Sequence, residues 1–400
     1  MKKNLCFVLD QFLYGGIERV AINYLKAIDK NRYNVDVIIL SNTEDMIKQI
    51  PKECHIIKIN IPRNHNPLSR ASTMIRRDAG AILYYGSYIL KTLFIEPIDY
   101  IKTKELRKKR YDVAIAFSGH VNDCYVVLKF IKAKKKIAWA HGMIYQYLMM
   151  SPAFEKMYKK FDTLVSINNL DQSDIFYTKP YLNLNIVNLY NPTIEMKMDP
   201  KLEENYGKYI LSVARLESPK DFITLIKAYN NLDKKIISEY KLLIVGDGPD
   251  RELIENEINE LNLKDNVILV GSQTNVVKYY KNASLFILST KVEGLGMVIV
   301  EAMGNGCPVI ATDAPFGPRD IIRNNEYGVL CPVGDYKKMS KEITNLLTNE
   351  ELRKKYIKQG YKRYKDFTAE TIINKFYQII NDNEKNRWIY EKSKCDNTRL

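Results

Sequence analysis

The sequence predicts an α/β fold with mostly parallel sheet, laid out as successive domains joined by a polar hinge. Three observations carry that reading. Short apolar runs alternate with helical patterns along most of the chain, the arrangement that covers a parallel sheet with helices. The 400 residues are 46% hydrophobic, enough to fill two or three cores. From Tyr190-Asn191-Pro192 to Gly207 the composition turns polar, with Pro200 and Asn205 inside the stretch, so a linker is placed over residues 191–208.

The first domain is read over residues 1–190. Leu5 to Leu9 is its first strand; two lysines ahead of a five-residue apolar run read as a strand start, not as a signal peptide. Tyr14-Gly15-Gly16-Ile17-Glu18-Arg19 then turns into a helix that ends near Asp29. Gly15 and Gly16 let backbone approach a ligand at the carboxyl end of a strand, where open α/β sheets bind. They serve an ordinary tight βα turn equally well. The pattern is not G-x-G-x-x-G, so a dinucleotide site is excluded. Further strands are expected at Val35 to Leu40, His55 to Ile59, Val113 to Phe117, Lys136 to Ala140, Phe161 to Ile167 and Ile186 to Leu189. Ala79 to Ile95 is largely apolar but contains Ser87, Lys91 and several tyrosines. It is too short for a membrane crossing and reads as a buried or interfacial helix. His141, in Trp139-Ala140-His141-Gly142, closes a strand at its carboxyl end; His120, after Phe117-Ser118-Gly119, is the weaker candidate. His55 and His65 are given no role.

The second domain opens at Tyr209-Ile-Leu-Ser-Val-Ala-Arg215-Leu-Glu-Ser-Pro-Lys220-Asp. A strand delivers Arg215 at its end, and Lys220 starts the next helix. Two cations there suit a diphosphate, each charge-assisted bond contributing about 1.5–3 kcal/mol; a solvated salt-bridge pair is the alternative. Leu242 to Val245 followed by Gly246-Asp247-Gly248-Pro249 is another strand and tight turn, and Val267 to Gly271 a third strand.

The densest signal is VEGLGMVIVEAMGNGCPVIATDAPFGP, Val292 to Pro318. A strand, Ser284 to Leu288, precedes it, and a helix is expected from near Leu295 until Gly304 and Gly306 stop it. A second strand, Pro308 to Thr312, completes a βαβ unit. The backbone amides of Gly294, Leu295, Gly296 and Met297 would point out of the helix N-terminus, where phosphate is welcome. Glu293 precedes the helix, and Glu301 follows eight residues later, about two turns along. Two hydroxyl-seeking carboxylates around anion-binding amides suit a sugar nucleotide, one acid for the hexose and one for the ribose. A capped surface helix with two solvated acids is the plain alternative.

Glu293-Gly-Leu-Gly-Met-Val-Ile-Val-Glu301, followed by Ala-Met-Gly-x-Gly-x-Pro-Val-Ile-Ala, resembles the E-x7-E signature of retaining glycosyltransferases of family 4, the glycosyl transferases group 1 class. The resemblance covers residues 1 to about 380. It implies two Rossmann-like domains of the GT-B type, facing each other across a cleft. The first is the acceptor side, and the second, residues 209–366, binds a nucleotide-diphospho-sugar. Residues 367–400 would form a last helix crossing back to the first domain, and a tail. It further implies that Arg215 and Lys220 bind the donor diphosphate, that Glu293 holds the donor sugar and Glu301 the ribose, and that His141 lines the pocket. Gly15 and Gly16 would face donor phosphates and acceptor. No cofactor and no metal are implied, and the sequence has no Asp-x-Asp pair. Asp313-Ala-Pro-Phe-Gly-Pro-Arg319-Asp320 resembles a subgroup that builds bacterial surface polysaccharides on lipid-diphosphate-linked sugars at the cytoplasmic membrane face. A UDP-sugar is the expected donor and GDP-mannose the alternative.

The net charge of +14 favours an acidic partner: nucleic acid, an anionic membrane surface or phosphorylated substrates. Nucleic acid is excluded by the absence of aromatic-basic interleaving and of any recognised module. Two basic runs in the first domain, Lys102 to Arg110 and Lys129 to Lys136, would hold a peripheral enzyme on anionic lipid at about 1 kcal/mol per charge. Six cysteines without a C-x-x-C pair, and only four histidines, argue for reduced thiols in a cytoplasmic protein and against a metal site. A sugar-nucleotide epimerase would need an acid/base His and carboxylate set that is not visible. A sugar-nucleotide sensor without transferase activity stays open.

Overall fold

The alternating pattern resolves, in a computed structural model, into two parallel sheets. The structure describes residues 2–12, 15–41, 46–61, 95–142, 144, 147–148, 152–169, 175, 179, 182–193, 205–273 and 275–382. The apolar segment Ala79 to Ile95 lies, but for its last residue, outside the described residues, as does most of the linker.

The chain divides into two compact units, Met1–Tyr190 with Ile373–Leu400, and Asn191–Ile372. In the first, seven strands are described: β1 (Lys3–Leu9), β2 (Tyr33–Ile39), β3 (His55–Lys58), β4 (Arg110–Ala116), β5 (Lys132–Ala140), β6 (Thr163–Ser166) and β7 (Ile186–Asn188). They pair all-parallel in the order β3-β2-β1-β4-β5-β6-β7. The order reverses at β1, so β1 and β4 frame the topological switch point, where open sheets bind ligands beyond the strands' carboxyl ends. In the second unit, β8 (Lys208–Val213), β9 (Tyr240–Val245), β10 (Val267–Gly271), β11 (Leu285–Leu288), β12 (Val309–Thr312) and β13 (Val329–Cys331) run β10-β9-β8-β11-β12-β13. Its switch point falls between β8 and β11, the strands that lead to Arg215 and Glu293.

Central strands are apolar on both faces, as burial between two helical layers requires: Leu5 to Leu9, Leu242 to Val245 and Leu285 to Leu288 are all buried. The start of β5 is different. The expected strand starts at Lys136, yet the basic run from Lys132 already forms its first half, with Lys132 and Lys134 exposed and Lys135 and Lys136 half-buried. β13 escaped notice because only three residues, between Gly328 and Pro332, carry it.

The last helix, Ala369–Asn381, ends within the first unit. Phe376 packs there with Phe7, Tyr24 and Trp139, ring centroids 5.6–6.2 Å apart. The Tyr377 hydroxyl accepts from the Asp29 amide at 2.7 Å, and Asn381 accepts from Lys3 at 2.8 Å.

Candidate functional site

Three consecutive residues after β11 fasten the loop that carries Lys220. The Ser289 hydroxyl donates to the Lys220 carbonyl at 3.1 Å, the Thr290 hydroxyl lies 2.9 Å from the Pro219 carbonyl, and the Lys291 amide donates to Pro219 at 2.8 Å. Thr290 is in turn fixed to β12, its amide donating to the Thr312 hydroxyl at 2.8 Å. Ser218–Lys220 forms one 3-10 turn, ended by Asp221 in the left-handed region with φ 45°. Its carboxylate accepts from the Thr224 hydroxyl, one turn into the following helix, at 2.8 Å.

That fastening brings Lys220 to Glu293. The ammonium and carboxylate form an ion pair, with side chains 18% and 16% exposed. Glu293 is itself set by backbone: it bridges to Phe316, and the Gly317 amide reaches its carbonyl at 3.5 Å. Phe316 holds φ 76°, a costly conformation for an aromatic residue that the surrounding turn must enforce. Arg215, at the end of the β8 loop, is 69% exposed and lies 3.7 Å from Glu217. Among the predicted diphosphate ligands, then, Lys220 is half-buried beside the turn and Arg215 projects into solvent.

The helix starts two residues later than the sequence indicated, at Met297 instead of Leu295. Gly296 is the reason. Its φ of 82° lies outside the helical basin, so the first helical residue follows it, and a Cβ there would stand 3.3 Å from Glu293 Cγ. Gly294 and Leu295 therefore belong to the loop, Leu295 buried, and the amides of Met297 onward form the first turn. Glu301 sits within the helix and accepts from the Tyr280 hydroxyl at 3.0 Å. Burial, and then the Glu301 charge, push the Tyr280 hydroxyl well above its ordinary value, so it stays a donor. Tyr280 was not singled out from sequence; as one tyrosine among 28, it gave no local signal.

In the first unit, Gly15 caps the helix Gly16–Ala27 in extended conformation, φ −145°, so neither glycine is there for a left-handed turn. Gly16 has open space around a would-be Cβ, whereas Gly15 faces the Glu18 carboxylate. His141 follows β5 with its Nε2 2.7 Å from the Phe117 carbonyl, which makes Nε2 the protonated nitrogen. Removal from water pushes its pKa down to about 4, against the pull of that carbonyl, so the ring is a neutral donor near pH 7. It stacks 6.3 Å from Trp139. His120 places Nδ1 3.4 Å from Asp10, which is buried at the end of β1 and accepts from Asn122 at 2.9 Å. Asp123 is buried nearby; desolvation raises its carboxyl to about 7, opposed by His120 and reinforced by Asp10. Asp10 and Asp123 were missed. A carboxylate directly after an apolar strand was the available signal for Asp10.

The basic runs are largely engaged locally. Lys109 pairs with Asp36 at 2.7 Å, Lys129 with Glu96 at 2.6 Å, and Lys134 with Asp112 at 2.7 Å. Arg107 stacks over Tyr100, 3.2 Å from the ring centroid, and Lys135 donates to the carbonyls of Ile379 and Asp382. Beside them, on the helix Glu96–Lys102, Ile98, Tyr100 and Ile101 are exposed. Among the described residues no helix is long and apolar enough to cross a membrane, and no group of three His, Cys, Asp or Glu is placed to hold a metal ion.

Comparison with known proteins bears on this geometry. Residues 194–363 match the family model described as glycosyl transferases group 1. The chain is 23% identical over 376 residues to the amylovoran biosynthesis glycosyltransferase AmsD of Erwinia amylovora, covering 92% of this chain and 96% of that one. Over 160 residues it is 33% identical to the N-acetylgalactosamine-N,N'-diacetylbacillosaminyl-diphospho-undecaprenol 4-alpha-N-acetylgalactosaminyltransferase of Campylobacter jejuni, 40% of this chain and 43% of that protein. The solved structure of Anabaena HepE in complex with UDP and glucose superposes with a TM-score of 0.69 at 15% identity, covering 94% of this chain and 99% of that one. At that identity the likeness is one of fold.

Proposed function

We propose, for a glycosyltransferase that carries a glycosyl transferases group 1 domain over residues 194–363 in a GT-B fold, a retaining and metal-independent transfer. The donor is a nucleotide-diphospho-sugar, and the acceptor is a sugar hydroxyl of a lipid-linked oligosaccharide in surface polysaccharide synthesis. The observation that carries this reading is the half-buried Lys220–Glu293 pair in front of the Gly296 turn. It sets a cation for phosphate and a carboxylate for hexose hydroxyls at one helix N-terminus.

As the bond from the anomeric carbon to the diphosphate breaks, negative charge grows on the leaving oxygen. Lys220, the first-turn amides of the helix and the exposed Arg215 stabilise that charge. Glu293 orients the hexose, and the departing phosphate oxygen takes the acceptor's proton. His141 of the first unit, neutral and bonded to the Phe117 carbonyl, is proposed as a polar group and not a charge. UDP is the preferred nucleotide, with Glu301 holding the ribose hydroxyls; GDP-mannose is the alternative donor. The undecaprenol-linked substrate in the name of the Campylobacter relative supports a lipid-linked acceptor. Work at the cytoplasmic membrane face goes with such an acceptor in this proposal, the basic first domain binding anionic lipid peripherally.

Calorimetry with UDP tests the donor assignment. Glu301→Ala is expected to weaken UDP binding by roughly tenfold, the loss of one or two hydrogen bonds to a charged group. Unchanged affinity would contradict the ribose role.

A further inference from the structure

We propose that the Lys220–Glu293 ion pair makes the donor site select an intact nucleotide sugar over the free nucleoside diphosphate; this rests on the donor reading above. The two side chains are each less than one-fifth exposed and are held from both sides. Ser289, Thr290 and Lys291 fix the backbone under Lys220, and the Phe316 bridge fixes the backbone under Glu293. Exchange of partners is therefore left to side-chain rotation. The contact distance from a would-be Gly296 Cβ to Glu293 Cγ places the stem of this side chain against the turn that opens the helix.

Any diphosphate drawn to Lys220 and the helix amides thus arrives beside a carboxylate. A free nucleoside diphosphate brings an unesterified terminal phosphate and no hydroxyl on that side. It takes the ammonium from Glu293 and leaves that half-buried acid facing like charge, an arrangement that costs affinity. A nucleotide sugar brings one charge fewer, because the terminal phosphate is esterified, and its hexose hydroxyls donate to Glu293 in place of Lys220. The same residue that orients the substrate then weakens the hold on the product diphosphate and speeds its departure. Selectivity comes from repulsion of the wrong ligand as much as from attraction of the right one.

The test is calorimetric titration of the full chain with UDP, UDP-glucose, GDP and GDP-mannose. Glu293→Gln, neutral and of the same size, is expected to bind the matching free diphosphate roughly tenfold tighter than the native protein, while the nucleotide sugar gains nothing. Glu293→Asp, which keeps the charge, is expected to retain the native preference. In Lys220→Ala the Glu293→Gln tightening should fall to the part that like-charge repulsion alone supplies, since no pair is left to break; thermal unfolding checks that each variant folds. A Glu293→Gln protein that binds the free diphosphate no more tightly than native overturns the selectivity role alone. Native protein that binds none of the four probes overturns the donor reading and this inference with it.

Discussion

At the scale of single residues, two buried groups have titration properties that set testable stability behaviour. Asp123 is held neutral by burial, its carboxyl raised from an ordinary 3.8 to about 7. A carboxyl that binds its proton more tightly in the folded chain contributes most below pH 3.8. That contribution is lost as pH rises through 7. Asp123→Asn, neutral at every pH, is therefore expected to gain stability over the native protein between pH 5 and pH 8, by about 2–3 kcal/mol. Urea unfolding at the two pH values checks it, and an equal difference at both would contradict the buried-acid account. His141 has the opposite sign. Its depressed pKa contributes stability above about pH 6.5 that is lost as pH falls toward 4.

At the scale of elements, the helix Met297–Gly304 follows directly on the loop that carries Glu293, and its far end is tightly packed. A Cβ on Gly304 would meet the Tyr364 ring at 2.5 Å. Gly304→Ala is thus expected to destabilise the second domain by about 1–3 kcal/mol through overpacking, read as a lower unfolding midpoint. An unchanged midpoint would mean that the helix Glu350–Tyr364 yields without cost. The same element shows what could be read from sequence. Strand, loop, helix and strand around Glu293 were legible because apolar runs and glycines punctuate them sharply. The helix start was displaced by two residues because a left-handed glycine is a conformation and not a composition. Glu293, Lys220 and Arg215 were identified by type and spacing. That Lys220 meets Glu293, while Arg215 reaches solvent, depended on Ser289, Thr290 and Phe316, contacts distant in sequence from Lys220. The surroundings of the basic runs were hidden for a related reason. Lysines at the start of β5 look like a solvated face until Asp112 and the carbonyls of Ile379 and Asp382 are brought beside them.

At the scale of the whole molecule, charge and the exposed apolar residues of the first unit bear on membrane docking. Local pairing by Asp36, Glu96, Glu105 and Asp112 removes part of the basic field that the sequence displays. Ile98 and Ile101, 48% and 72% exposed, lie on the helix Glu96–Lys102 where the first basic run begins. Binding to anionic vesicles is expected at low salt and should weaken as salt rises, because exposed charges are screened beyond about 10 Å at 0.1 M ionic strength. Sedimentation that is equal for neutral and anionic vesicles would make a soluble acceptor the better reading. The central claim is more local than this: a sugar leaves a nucleotide diphosphate at Lys220 and Glu293. Its most direct test is incubation of the protein with radiolabelled nucleotide sugars, followed by separation of free sugar, transferred sugar and nucleotide diphosphate. The account predicts sugar release or transfer from one of them, strongest with a UDP-sugar, and a fall of about 10²-fold or more in Lys220→Ala. Label that stays on every donor, or a Lys220→Ala protein with native turnover, would contradict it.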